Sequence, residues 1–150
     1  NNINNINNIT CNINIVAFGS ENLEKIPIEK IKSFINRGFM SIVKMTDYLN
    51  CNKDLPENNN IYISNKRDNT ITTYNGEDWI KIEKENTLEK IINKNGDFLE
   101  KKYNELYKEL NTISKFEQFK DGRYNEEQNE FMKEKLNKLL YNNRDLLKKK

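Results

Sequence analysis

Two sets of residues in this 150-residue chain have side chains suited to chemistry. Asp54, Glu57, Asp68, Glu77 and Asp78 fall among turns, where loop oxygens can hold a divalent cation. A metal-dependent nuclease would need Asp54, Glu57 and Asp78 to converge. Their spacing matches no metal motif, and solvated loop acids are the expectation. The second set is Lys66-Arg67 with Tyr62 and Trp79, which joins charge for phosphate to rings for base stacking. The usual catalytic machinery is missing. There is no histidine, the commonest general base and metal ligand. Cys11 and Cys51 are too far apart for a CxxC pair. Gly19, Gly38, Gly76, Gly96 and Gly122 make neither GxGxxG nor GxxxxGK[ST]. The residues therefore predict no catalytic group, no metal and no cofactor.

The elements that must position these residues centre on Pro56 to Glu83, which reads as a three-stranded antiparallel meander. Asn75-Gly76 is expected to form a two-residue turn with φ > 0 at both positions. That turn would set Tyr74 opposite Glu77, Thr72 opposite Trp79 and Ile71 opposite Ile80. Pairing back to Ile61-Tyr62-Ile63-Ser64 sets Tyr62 beside Thr72 and Ile63 beside Ile71. One face then carries Ile63, Ile71, Ile80 and Ile82, and the other Tyr62, Thr72 and Trp79. Upstream, Ile13 to Phe18 reads as a buried strand at the meander's edge. Pro27 and Gly38 punctuate a helix carrying Ile28, Ile31, Phe34 and Ile35. Ser41 caps a second helix with Ile42, Met45, Tyr48 and Leu49. These two short helices are expected to cover the meander.

After Glu83 the pattern becomes long helix. Asn86 and Glu89 have capping-box spacing, and Asn95-Gly96 predicts a break or kink. Leu99, Tyr103, Leu106, Leu110 and Ile113 step by fours and threes. After Lys120-Asp121-Gly122-Arg123, the same spacing recurs at Met132, Leu136, Leu139, Asn143 and Leu146. Such stripes suit a helical hairpin or coiled coil, with Asn143 in the seam, and predict a homodimer. Leu140 and Leu147 widen the face, as an ordinary amphipathic helix packing back on the domain would require. Lys148-Lys149-Lys150 suits a helix C-terminus. The fold class is α+β: a small antiparallel meander covered by short helices and followed by long C-terminal helices. The division is an Asn-rich linker over 1–12, an α+β domain over 13–85 and a helical extension over 86–150.

A hydrophobic share of 35% against 32% charged suits one modest core. With 25 basic and 23 acidic residues the net charge is +2, too small for a global field that captures polyanions. No apolar run approaches the roughly 18 residues of a bilayer span, so no membrane partner is expected. The lone cysteine pair and the absence of a signal-like segment predict reduced thiols and an intracellular setting. NNINNINNITCN is Asn-rich with Ile every third residue and reads as a polar linker. A first residue of Asn suggests a segment of a longer protein.

The run from Thr10 to Asn50, with PENNNIYISN and YNGEDWIKI after it, resembles a domain of uncharacterised proteins from giant nucleocytoplasmic DNA viruses, the mimivirus-like group. The resemblance covers roughly Thr10 to Leu110. In those proteins the domain commonly follows a C2H2-type zinc finger and an Asn-rich or coiled-coil connector. The resemblance implies an intracellular viral protein, in host cytoplasm, viral factory or virion, accessory to a nucleic-acid-binding module. Similar proteins often carry His near Asn50-Cys51-Asn52 and within PENHN, where this chain has Cys51 and Asn59. The leading expectation is a non-enzymatic interaction or oligomerisation domain. The alternative is direct DNA or RNA binding through the Lys66-Arg67 loop and the Tyr62/Trp79 face.

Overall fold

The computed structural model describes residues 13–110 and 113–146, with side chains for all of these except 113 and 114. Its elements are α1 (Ile28–Ile35), α2 (Ser41–Asn50), β1 (Ile61–Tyr62), β2 (Thr70–Tyr74), β3 (Trp79–Glu83), α3 (Lys84–Leu106), α4 (Ile113–Gly122) and α5 (Glu126–Asn142). The fold is α+β, with one antiparallel sheet ordered β1-β2-β3 and long helices towards the C-terminus.

Local signals explain most boundaries. Pro27 precedes α1 and supplies its extended N-cap. Ser41 is not the cap expected for α2: Met40 holds the N-cap position, and Ser41 is the first helical residue, its hydroxyl donating back to the Gly38 carbonyl at 2.6 Å. The β1–β2 register sets Tyr62 opposite Thr72, as expected, and Ile61 opposite Thr73. The β2–β3 register is displaced by two residues from expectation. Ile71 pairs with Ile82, Thr72 with Lys81 and Tyr74 with Trp79. The cause lies in the turn: Asn75 keeps a negative φ and only Gly76 takes a positive one, at +105°. Asn75 Oδ1 accepts from the backbone amides of Glu77 and Asp78, both at 2.8 Å. This side-chain turn makes a four-residue loop in place of the two-residue one. A slip of two preserves the faces, because side chains alternate with period two.

Three other expectations are corrected. Ile13 to Phe18 is not a strand; it lies half-buried beside the sheet, tied by Val16 N–H to the Glu57 carbonyl and Phe18 N–H to the Tyr74 carbonyl, both at 2.8 Å. Asn86 does not cap α3, whose N-cap is Glu83. Gly96 neither breaks nor ends α3, which runs unbroken for 23 residues. Gly96 instead makes room, since a Cβ there would lie 2.6 Å from the Arg123 guanidinium carbon. That guanidinium crosses the helix at the glycine, donating to the Asn93 carbonyl at 3.0 Å and to Asp97 at 2.8 Å, with Glu100 at 3.1 Å.

One cluster of buried apolar side chains runs through the portions 13–85 and 86–150 alike. It joins Phe34 and Ile35 of α1, Ile42 and Met45 of α2 and Ile71 of β2 to Leu99 of α3, Phe116 of α4 and Leu136 of α5. The long helices thus share in covering the sheet with the short ones.

Candidate functional site

The structure separates the residues of the nucleic-acid reading. Lys66 and Arg67 sit in the turn preceding Thr70, whereas Trp79 pairs with Tyr74 at the opposite end of β2. The length of that strand, about 14 Å, stands between them. The loop is also stitched down: the Lys66 carbonyl accepts from Lys84 Nζ at 2.9 Å and Asn137 Nδ2 at 3.4 Å. Lys66 Nζ lies 5.2 Å from the centre of the Tyr141 ring. The hollow beside the loop mixes Lys84 and Lys133 with Asp68, Glu85, Glu130 and Glu134, which offset its positive charge. Burial pushes the Lys84 ammonium down from its ordinary value, against the opposing pull of Asp68 and Glu85.

Tyr62, Tyr74 and Trp79 do form a cluster. Ring centroids lie 5.6 Å apart for Tyr62 and Trp79 and 5.5 Å apart for Tyr74 and Trp79, all tilted. Tilted contacts at this spacing stabilise the pairs themselves.

Asp54, Glu57 and Asp78 are not brought together. Asp54 opens onto a hollow beside α1 and α2, Glu57 onto a separate cleft near Val16, and Asp78 is exposed in the β2–β3 loop. Among the described residues, no three His, Cys, Asp or Glu side chains are grouped so as to hold a metal ion.

The Asn-rich run before β1 has a different purpose, which the sequence did not reveal. Asn58, Asn59 and Asn60 are all buried, as are Asn50 and Glu21. Asn60 Nδ2 donates to Glu21 Oε2 at 2.8 Å and to the Val16 carbonyl at 3.1 Å. Asn50 Nδ2 shares its hydrogens among Glu21 Oε2, the Asn58 carbonyl and Asn60 Oδ1 at 3.0–3.1 Å. The other Glu21 oxygen accepts from Gly19 N–H at 2.9 Å and faces Lys94 Nζ at 3.6 Å. A buried carboxylate so satisfied is structural, and it fastens the 13–21 segment to the sheet. Above it, a groove of about 530 Å³ runs between the sheet and α3, with Phe18, Leu49, Ile82 and Ile91 in its lining. This lining suits an apolar group.

The stripe residues lie inside the chain. Leu99, Met132 and Leu136 are fully covered, and Tyr103, Leu106 and Leu110 are buried in the same core. Tyr103 Oη donates to Glu117 Oε1 at 2.6 Å. Burial, with Glu117 adding to it, pushes the Tyr103 phenol up to about 12, and the same hydrogen bond holds Glu117 below its ordinary value. Leu139 and Leu146 are half-buried, and Asn143 Nδ2 donates to the Leu139 carbonyl at 2.9 Å on its own helix turn. Ile113 opens α4, and its side chain lies outside the described residues.

Among the described residues, no strand pairs with the outer side of β3. It is one of the two edge strands of the sheet, and four of its five residues are exposed. Trp79 and Ile80 retain 39% and 37% of their accessible surface. Asn75 N–H bonds to the Asp78 carbonyl and Lys84 N–H to the Asn69 carbonyl. By antiparallel alternation, Ile80 and Ile82 turn their amides towards β2, while Trp79 and Lys81 turn theirs outward. Sequence reasoning took Trp79 for its ring alone, although the last strand of a meander is an edge by topology.

No family model, curated protein or solved structure matches this chain. Among the described residues, no helix is long and apolar enough to cross a membrane.

Proposed function

We propose that this chain is a non-enzymatic interaction module that pairs with a second copy of itself along the outer edge of β3. The observation that carries this reading is the exposure of that strand, with outward amides at Trp79 and Lys81 and two large apolar side chains uncovered. Unprotected edges of this kind template strand pairing. A two-fold axis at Ile80 sets each Ile80 against the other copy's Ile80. It also sets each Trp79 opposite the other copy's Lys81, so that ring meets cation. The resemblance to giant-virus proteins supports an accessory role beside a nucleic-acid-binding module, in an infected cell or its virions.

Sedimentation equilibrium tests the reading. The expected result is a concentration-dependent dimer that Lys81→Pro converts to monomer, since this substitution deletes an N–H that the β2 ladder does not use. A monomer at all concentrations, or a dimer indifferent to Lys81→Pro, overturns it.

A further inference from the structure

Four cationic residues line one hollow where α1, α2 and the turn after α2 meet. Lys30 comes from α1, Arg37 from the turn that follows it, Lys44 from α2 and Lys53 from the segment beyond. They line a hollow of about 440 Å³, a volume typical of small-ligand sites. None of the four is in an ion pair among the described residues, whereas Lys94, Lys102, Lys133 and Arg123 are all paired. Lys30, Arg37 and Lys53 are exposed and Lys44 is half-buried, so their charge is presented and not enclosed. One wall is the Tyr48 ring, fixed by Phe34 at 5.6 Å between centroids and with Lys30 Nζ at 5.6 Å. Ser33 adds a hydroxyl to the lining.

Two carboxylates, Asp47 and Asp54, share the hollow. The positive excess left in it equals the net +2 of the entire chain. Burial raises Asp47 above its ordinary value, with Lys44 opposing. Burial, and then Asp47, push the Cys51 thiol up to about 12, so that it adds no negative charge at neutral pH.

We infer that this hollow is a binding site for a phosphate-bearing anion, with Lys30, Arg37, Lys44 and Lys53 as the groups that receive its oxygens. Arg37 supplies a planar fork suited to two phosphate oxygens, and the lysines act as point charges around it. The site is independent of the β3 edge, so either can fail without the other.

Titration calorimetry at low salt with pyrophosphate, ATP and a short single-stranded oligonucleotide tests the inference. Binding of pyrophosphate and ATP with similar affinity assigns a free phosphate ligand, whereas much tighter oligonucleotide binding assigns a nucleic-acid backbone. In either case affinity falls as salt rises. Lys30→Glu with Arg37→Glu lowers it about tenfold or more. Both positions are exposed, and circular dichroism should show the variant folded. Lys66→Glu with Arg67→Glu serves as the control and leaves affinity unchanged. No binding of any probe, or an equal loss in the control variant, overturns the site.

Discussion

Arg123 and Arg37 carry the same guanidinium in opposite settings. The Arg123 side chain is 1% exposed, lies over Gly96 and is closed in by Asp97, Glu100 and the Asn93 carbonyl. Arg37 is exposed and without an ion pair, at the rim of the hollow between α1 and α2. The asparagines divide in the same way, with Asn60 enclosed against Glu21 and Asn75 spent on an exposed turn. A polar group enclosed with its partners is a fastening of the fold, because removing one partner strands the other in low dielectric. A charge left open contributes little to stability and is free for a ligand.

The contrast is broken most severely at Asn60. Asn60→Asp removes the donor to Glu21 and sets a second carboxylate against it, so urea unfolding should show a loss of about 3 kcal/mol or more. Arg123→Ala is expected to cost about 2–3 kcal/mol, softened because Asp97 is already largely in water. Gly96→Ala on the wild-type background pits helix propensity against displacement of the guanidinium. In the Arg123→Ala background the same change should stabilise by about 1 kcal/mol, the propensity gain alone, and a double-mutant cycle reads out the coupling.

A smaller effect is expected at Glu89. Hydrogen bonding from Asn129, and then the charge of Lys133, hold this carboxyl below its ordinary value of 4.5. Its stabilisation is complete above the unfolded value and fades as pH falls through the folded one. Wild type should therefore lose more stability than Glu89→Gln between about pH 5 and about pH 3. The smallest effect belongs to Arg37→Ala, within about 0.5 kcal/mol of wild type by the same unfolding measurement.

What the sequence disclosed follows from local chemistry. Pro27, the Ile63/Ile71 alternation and the Leu99-Tyr103-Leu106 spacing each report a backbone or packing requirement carried by neighbouring residues, and the meander and helices they imply are present. The stripe nevertheless does not run on as one helix: α3 ends at Leu106, Leu110 is extended and Ile113 opens α4. Some misses arise where a distant partner decides, others where a side chain replaces backbone. Gly96 is a helix breaker in isolation, but Arg123, which no local pattern links to it, gives the glycine its use. The register slip at Asn75 came from a side chain taking over a hydrogen bond that the turn rule assigns to backbone. Asn58 to Asn60 were hidden by abundance, since one buried asparagine looks like any other. The cationic hollow left only a faint trace, Lys30, Arg37 and Lys44 at intervals of seven, and the turn at Gly38 to Met40 puts those residues on different elements.

The junction between β3 and α3 has a mechanical consequence. Glu83 ends the strand and caps the helix, Lys84 begins it, and the Thr87 hydroxyl bonds to the Glu83 carbonyl at 2.7 Å. No slack separates the sheet's outer edge from a helix of 23 residues, about 35 Å long. The outer strand is thereby joined, with no intervening loop, to a helix whose far end meets α4 through the Tyr103–Glu117 hydrogen bond, which fixes the direction in which the sheet's edge is presented.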